Sequence, residues 1–384
     1  MKKGQIYDGV AEKVKFPNRG IVTSCCFAAE NREDLENIEG GAVKYESAGD
    51  RPEKPKQRTG ASGGVAQTAE ETDPVTVKNV IPGQRVRFAV RKKRGGKTEG
   101  QLLEVLEKSP LEKDVPDCPH FGVCGGCNYQ TLPYAEQLNI KAGQVLELMQ
   151  ETVPDAADVF EGIKASPAQF GYRNKMEFTF GDAEKDGPLT LGMHKRDGFY
   201  DIVTVDRCRI VDEDYRRILT STEAYFREMS TPFYHRMRHE GYLRHLLIRK
   251  AAKTGEILIV LITTTQACFS QINGNESTDE DGKRNFQRNI SDNCRTEKDL
   301  LDGWRQRLFS LELHGKIAGI LHTRNDSPAD AVKNEGTQVL YGQDYFYEEI
   351  LGLKFRIHPF GFYSTTPLVR NCLTTRKIIT YSEP

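Results

Sequence analysis

The chain has almost no net charge: its 384 residues carry 54 Lys and Arg against 55 Asp and Glu, a formal balance of −1. No global field therefore draws it to nucleic acid, and any such surface must come from local clustering. Long apolar runs are also missing. The longest, Ile257 to Ile262, has the length of a buried strand and falls well short of the roughly 18–20 residues of a membrane helix. The opening MKKGQIYDGV lacks the apolar core of a secretory signal, and nine cysteines make an odd number for a fully paired secreted protein. Both point to a reducing cytoplasm, where the sequons at Asn275 and Asn289 carry no meaning. Glycine is absent after Gly361, so the C-terminal segment offers no Gly-rich strand-to-helix turn for a cofactor.

What is present divides into modules, as a chain of this length favours. Gln5 to Val14 and Gly20 to Thr23 have the character of short strands, and Val77, Val80 and Ile81 precede a Pro82-Gly83 turn. Val86, Phe88 and Val90 then alternate with Arg85, Arg87 and Arg91, the period of a strand with one face inward. A basic turn, Arg91 to Lys97, leads to a return strand from Gln101 to Leu106. Together these predict a small antiparallel, OB-like barrel over 1–107, interrupted at about 25–73 by a polar stretch that cannot repay its ordering entropy. A similar stretch at about 270–297 interrupts the next module.

That module, 108–360, reads as α+β. Thr131 is placed to cap a helix whose Tyr134, Leu138, Ala142, Val145 and Met149 form one buried stripe, and further helices are expected over Asp212 to Met229 and Glu297 to Leu311. A hairpin pairs Leu243 to Lys250 with Ile257 to Thr263, and strands are expected around Ile317 to His322, Gln338 to Leu340 and Leu353 to Ile357.

The chemistry is concentrated in Cys118-Pro-His-Phe-Gly-Val-Cys124-Gly-Gly-Cys127. Two thiolates separated by two residues approach one metal centre if the backbone turns tightly, which Gly125 and Gly126 permit while leaving amides aimed at sulfur. Cys118 can reach a third corner, and Cys208 is the best-placed fourth ligand. Local spacing leaves zinc open beside iron, because four thiolates do not choose between them. The other cysteines, Cys25, Cys26, Cys268, Cys294 and Cys372, read as thiols without a catalytic or metal role.

With these residues the chain resembles the RNA uracil-C5 methyltransferases that carry a TRAM domain and a 4Fe–4S cluster. The family's cluster cysteines fall on Cys118, Cys124, Cys127 and Cys208, with Gly125, Gly126 and Gln130 around them. Gly171-Tyr172-Arg173-Asn174-Lys175 and Asp206-Arg207-Cys208 match further family segments. The resemblance favours iron over zinc. It implies enzymes that flip a uridine of ribosomal or transfer RNA from its stack, attack C6 with a cysteine thiolate and methylate C5 from S-adenosylmethionine. Nucleophile, base and cofactor pocket lie in a C-terminal Rossmann-like domain of that family; the barrel and cluster bind and position RNA.

RNA-binding candidates are Arg85, Arg87, Arg91, Lys92, Lys93, Arg94 and Lys97 on the barrel, extended by Arg173 and Lys175, with Phe362 matching the family's aromatic near the flipped base. Tyr134 and Tyr172 are expected to be packed. The family's motif at the entry to its catalytic domain, Pro-x-Ser-Phe-Phe-Gln-x-Asn, aligns with Pro359, Gly361, Phe362, Tyr363, Ser364 and Thr366, and the sequence departs from it where the family's cofactor-contacting Gln is replaced by Ser364 and its Asn by Thr366. Only 18 residues follow Thr366. The expectation is a chain whose catalytic domain is essentially absent, with 361–384 a remnant of the approach to it. It would be a truncated or split methyltransferase with a separate polypeptide as partner. The alternatives are a non-catalytic RNA-binding iron–sulfur module and a zinc-bearing structural protein.

This polypeptide alone is accordingly expected to transfer no methyl group, because cofactor, thiolate and base must be placed together. Incubation of cluster-loaded protein with unmodified ribosomal and transfer RNA and radiolabelled S-adenosylmethionine checks it; label at uridine C5 would overturn the expectation.

Overall fold

A computed structural model describes residues 1–27, 74–196, 198, 200–266, 296–329 and 332–363. The expected insertions thus lie mostly outside the described residues, as do Cys268, Cys294, Ser364, Thr366 and Cys372. The chain forms two compact units: Met1–Asp117 with Phe121–Ala165, and Cys118–His120 with the residues from Ser166 onward.

In the first unit, β1 (Ile6–Lys15), β2 (Arg19–Phe27), β3 (Val75–Lys78), β4 (Arg85–Arg94) and β5 (Lys97–Glu107) close a barrel in the order β1-β2-β3-β5-β4. Closure comes from β1 pairing antiparallel with both β2 and β4, while β3 runs parallel to β5. Val22, Val75, Val77, Val86, Phe88 and Val90 fill the interior with no exposed surface. Each contributes about 1.5–3 kcal/mol by the usual burial scale. Gly100 makes room for the largest of them, since a Cβ there would stand 2.7 Å from the Phe88 ring. The inward set of β4 is the one its alternation predicts. β2 continues through Cys26 to Phe27, so the interruption begins later than position 25.

The helix α1 (Tyr134–Gln150) forms where expected, followed by the short α2 (Ala156–Val159), but two expectations about α1 fail. Its N-cap is Pro133, with no side-chain cap; Thr131 is buried, and its carbonyl accepts the Lys113 N–H at 2.7 Å. The stripe is not buried either: Val145 and Met149 are 46% and 49% exposed, and the buried residue of the helix is Gln144. Gln144 donates to the carbonyl of Val14 at 2.9 Å. Glu147 pairs with Lys13 and Lys15 at 3.0 and 3.4 Å, so polar contacts to β1 orient the helix where the apolar period suggested a hydrophobic seam.

The second unit is built on a seven-stranded sheet, order β12-β11-β10-β9-β6-β7-β8. Its elements are β6 (Lys175–Asp182), β7 (Leu189–His194), β8 (Ile202–Val203), α3 (Glu213–Glu228), β9 (Leu243–Lys250), β10 (Glu256–Thr263), α4 (Glu297–Phe309), β11 (Lys316–Arg324) and β12 (Thr337–Gly342). A separate hairpin, β13 (Phe346–Ile350) with β14 (Leu353–Ile357), completes it. The β9–β10 hairpin has the expected register, Lys250 opposite Ile257. β10 runs parallel to β11. Both β9 and β10 are buried almost throughout, as strands covered on two faces must be. Leu258, Val260 and Ile262 pack with Phe346, Ile350 and Ile357 of the outer hairpin. Phe226 of α3 meets Phe180 and Trp304, whose indole N–H donates to Thr222 at 3.1 Å. α4 starts with a capping box between Thr296 and Asp299, so the second interruption ends before position 297. No helix among the described residues is long and apolar enough to cross a membrane.

Positions 361–363 pack against the second unit. Tyr363 lies in the same core cluster as Phe346 and Leu258, and the buried Arg249 donates to the carbonyl of Gly361 at 2.8 Å.

His322 on β11 is buried beside Thr263, with Nε2 2.8 Å from the hydroxyl. That hydroxyl donates to the Thr264 carbonyl, which places an imidazole N–H on Nε2. Burial, assisted by Arg324, lowers the His322 pKa from 6.5 to about 4. With the folded value depressed, the unfolded chain binds the extra proton first. The stability associated with the neutral ring is present above pH 6.5 and is lost as pH falls toward about 4. The loss is on the order of 3 kcal/mol. Denaturant unfolding between those limits should show a stability slope that His322→Gln removes; an unchanged slope in the variant would refute the assignment.

Candidate functional site

The β4–β5 hairpin ends in Gly95 and Gly96, with φ of 58° and 72°, the positive pair that a two-residue hairpin turn requires. This tight reversal places Arg94 opposite Lys97 and holds Lys92, Lys93, Arg94 and Lys97 exposed at one tip. The three arginines lower on the strand are engaged otherwise. Arg87 makes a two-toothed contact with Asp8, directly across on β1, at 2.8 and 3.0 Å, and lies 3.5 Å from Glu104. Arg85 pairs with Glu107 at 3.0 Å, and the Arg91 Nε donates to Gln101 at 2.7 Å. The seven-residue basic surface expected from sequence is therefore a four-cation tip above a strand whose arginines are occupied in the barrel wall.

The cysteine segment is a loop held to the barrel. Its base is closed by the Lys113 and Asp117 amides, which donate to Thr131 and Gln130 at 2.7 and 3.4 Å. The Tyr129 hydroxyl donates to Asn18 at 2.6 Å, and Tyr129 and Leu132 pack with Ile81. Inside the loop the Gly126 N–H points at Cys124 Sγ, 3.4 Å away. Gly125 and Gly126 form the expected turn, and the left-handed glycine of the loop is Gly122, with φ of 90°. Cys124 and Cys127 are half-buried thiols.

Cys118 and Cys208, both buried thiols, belong to the second unit. The Arg207 amide donates to His120 Nε2 at 3.1 Å, while Asp206 stands 3.3 Å from the same nitrogen. Burial is the largest influence on His120 and lowers its pKa, so the ring is read as neutral, accepting the amide, rather than as half of an ion pair. The Gly171 and Arg173 amides donate to Arg209 and Ile210 at 3.0 Å, which lays the Tyr172-Arg173-Asn174-Lys175 motif beside the residues after Cys208. Lys175 is paired with Glu177 at 2.6 Å and Arg173 is half-buried, as are Tyr134 and Tyr172. Phe362 is fully solvent-exposed, so it is not core. Donor chemistry suits a thiolate-held metal group, with buried or half-buried sulfur and an amide directed at one of them. Among the described residues, no group of three or more His, Cys, Asp or Glu side chains is arranged to hold a metal ion.

Sequence reasoning missed His120, Asp8 and Tyr129. His120 was in view between Cys118 and Cys124, but its role depends on a partner far along the chain. Asp8 and Tyr129 act through register and a turn that no local pattern displays.

No family model matches the chain. Over 296 residues, 77% of this chain, it is 45% identical to an uncharacterized RNA methyltransferase of Caldanaerobacter subterraneus subsp. tengcongensis, of which it covers 58%. A Clostridium tetani protein of the same description is 43% identical over 291 residues, 76% of this chain and 57% of the relative. The chain thus spans somewhat over half the length of these curated relatives. Among solved structures, the Pyrococcus abyssi tRNA (uracil-54, C5)-methyltransferase in complex with S-adenosyl-L-homocysteine shares the fold with a TM-score of 0.54 at 19% identity, over 81% of this chain and 61% of that one. The chain is therefore homologous, across three quarters of its length, to proteins described as RNA methyltransferases.

Proposed function

We propose that this chain is the RNA-binding and cluster-bearing portion of an S-adenosylmethionine-dependent RNA uracil-C5 methyltransferase that acts on ribosomal or transfer RNA in the cytoplasm. The observation that carries the reading is the 45% identity to an RNA methyltransferase over 296 residues. A closed five-stranded barrel with a cationic tip supports it, because OB-like barrels bind nucleic acid through strands and loops. On this reading the barrel is a TRAM domain. Lys92, Lys93, Arg94 and Lys97 contact phosphates, with Arg85, Arg87 and Arg91 contributing less because their side chains already have partners.

RNA binding should weaken as salt rises, and reversing charge at Lys92, Lys93 and Arg94 should weaken it with little dependence on sequence. Filter binding with unmodified transfer RNA and ribosomal stem-loop transcripts measures this; unchanged affinity in the triple variant would reduce the tip to a solvated turn.

The same reading assigns Cys118, Cys124, Cys127 and Cys208 to a 4Fe–4S cluster, whose contribution when bound is to fix its protein ligands in place. Anaerobically purified protein should contain about four iron and four sulfide per chain, in keeping with that cluster type. Cys124→Ala or Cys127→Ala should abolish both. Stoichiometric zinc without sulfide would instead favour the structural zinc protein.

A further inference from the structure

Between α3 and β9 the chain makes a projecting loop, His235-Arg236-Met237-Arg238-His239-Glu240, in which four of six side chains are basic types. It lies in the second unit and shares no element with the barrel tip. Its backbone is closed by the His235 amide donating to Glu240 at 2.6 Å and the His239 amide donating back to His235 at 2.8 Å. His239 takes a φ of 56°, a conformation few side chains adopt. Gly241, at φ 119°, cannot be replaced, because a Cβ there would stand 2.0 Å from the Phe233 carbonyl oxygen.

Side chains from elsewhere hold this shape. Gln266 accepts from the Gly241 amide at 2.9 Å and donates to the His239 carbonyl at 2.7 Å. The Thr264 hydroxyl donates to the Gly241 carbonyl at 2.6 Å, and Tyr234 meets His239 Nδ1 at 3.0 Å. Tyr234 is itself braced by the Arg244 guanidinium, 4.4 Å above its ring. The loop is therefore ordered before anything binds it, which lowers the entropic cost of association.

The ordered loop presents an apolar side chain between two cations. Met237 is 68% exposed, with its sulfur accepting from the Tyr200 hydroxyl at 3.2 Å, and Tyr200 is itself 54% exposed. Arg238 is exposed and Arg236 half-buried. With Tyr200 beside it, Met237 is part of a two-residue exposed surface rather than a single scattered apolar side chain. Set between arginines on a braced loop, it has the form of the apolar side chains that nucleic-acid-binding proteins press against or between bases while flanking cations take the phosphates.

We propose that the loop His235 to His239 is a second RNA contact of this chain, with Arg236 and Arg238 on phosphates and Met237 against the face of an unpaired base. The inference rests on the RNA-binding reading but is carried by different residues, so the two can fail separately. A protein partner with an acidic surface is the competing occupant, and the exposed Met237 argues for RNA because base faces offer it a flat apolar surface.

The full chain serves for the test, with unmodified transfer RNA and ribosomal stem-loop transcripts, some carrying 2-aminopurine in the loop, and polyglutamate as a polyanion control. Arg236→Gln with Arg238→Gln should reduce affinity about tenfold and lower the slope of log affinity against log salt by about 1.5. Met237→Ala should leave that slope intact while reducing the 2-aminopurine response. Both variants should retain the wild-type thermal midpoint, since the substituted side chains are not core. If the wild type binds no RNA, the functional reading and this one both fall. If it binds and the double variant matches it in affinity and slope, this inference alone is overturned. Equal binding of polyglutamate, with no effect of Met237→Ala, would also overturn it in favour of an acidic protein partner.

Discussion

The second unit is organised around a desolvation problem in β9. This strand carries Arg244, His245 and Arg249 into positions almost closed to water, and a buried cation without hydrogen-bond partners costs several kcal/mol. Arg244 donates to the carbonyls of Asn325, Ser327 and Ala329 at 2.7–2.8 Å, which fixes the course of the chain after β11. Arg249 reaches the carbonyl of Gly361, and His245 lies 3.3 Å from Thr179 on the neighbouring β6. Solvating these groups with protein atoms positions segments that have little regular structure of their own. Glu348 on β13 does the same in the opposite sense: a buried carboxylate accepts the Ala252 and Lys253 amides at 2.6 and 3.0 Å and fixes the turn between β9 and β10.

The first unit meets its constraint by closure. A five-stranded barrel has no open edge to protect, and the Asp8–Arg87 pair spans the β1–β4 seam at which the sheet closes on itself. The pair is partly buried, with Asp8 nearly closed to water and Arg87 more open. Its effect is on the surface field, because a cation matched across the seam is less available to an anion than one at the hairpin tip. Local charge on this barrel therefore follows strand register, and a count of basic residues along β4 overstates what a phosphate backbone would meet.

Legibility in the sequence followed the range of the interactions involved. The alternation of Val86, Phe88 and Val90 and the apolar run of β10 are local signals, and their strands lie where those signals place them. β6 and β7 were missed although Met176, Phe178 and Phe180 alternate as clearly. β13 was opaque for a physical reason: Glu348 occupies a buried position that any pattern rule assigns to an apolar residue. The α1 stripe was misread for the converse reason, since the hydrogen-bonded Gln144 is buried and Val145 and Met149 beside it are not. For the candidate site, the cysteine pattern and the basic tip were visible at once, whereas the pairing of Arg87 and the neighbours of His120 required the folded chain.

The anchoring of Gly361 and Tyr363 has a further consequence. Arg249 grips the backbone at Gly361, and Tyr363 is seated in the core beside Phe346, so the last described residues are pinned to this unit. Any domain joined beyond them starts as a tethered neighbour, and its docking is governed by an effective concentration in the millimolar range for a short connection rather than by free diffusion. A weak interface would then suffice to hold such a domain close.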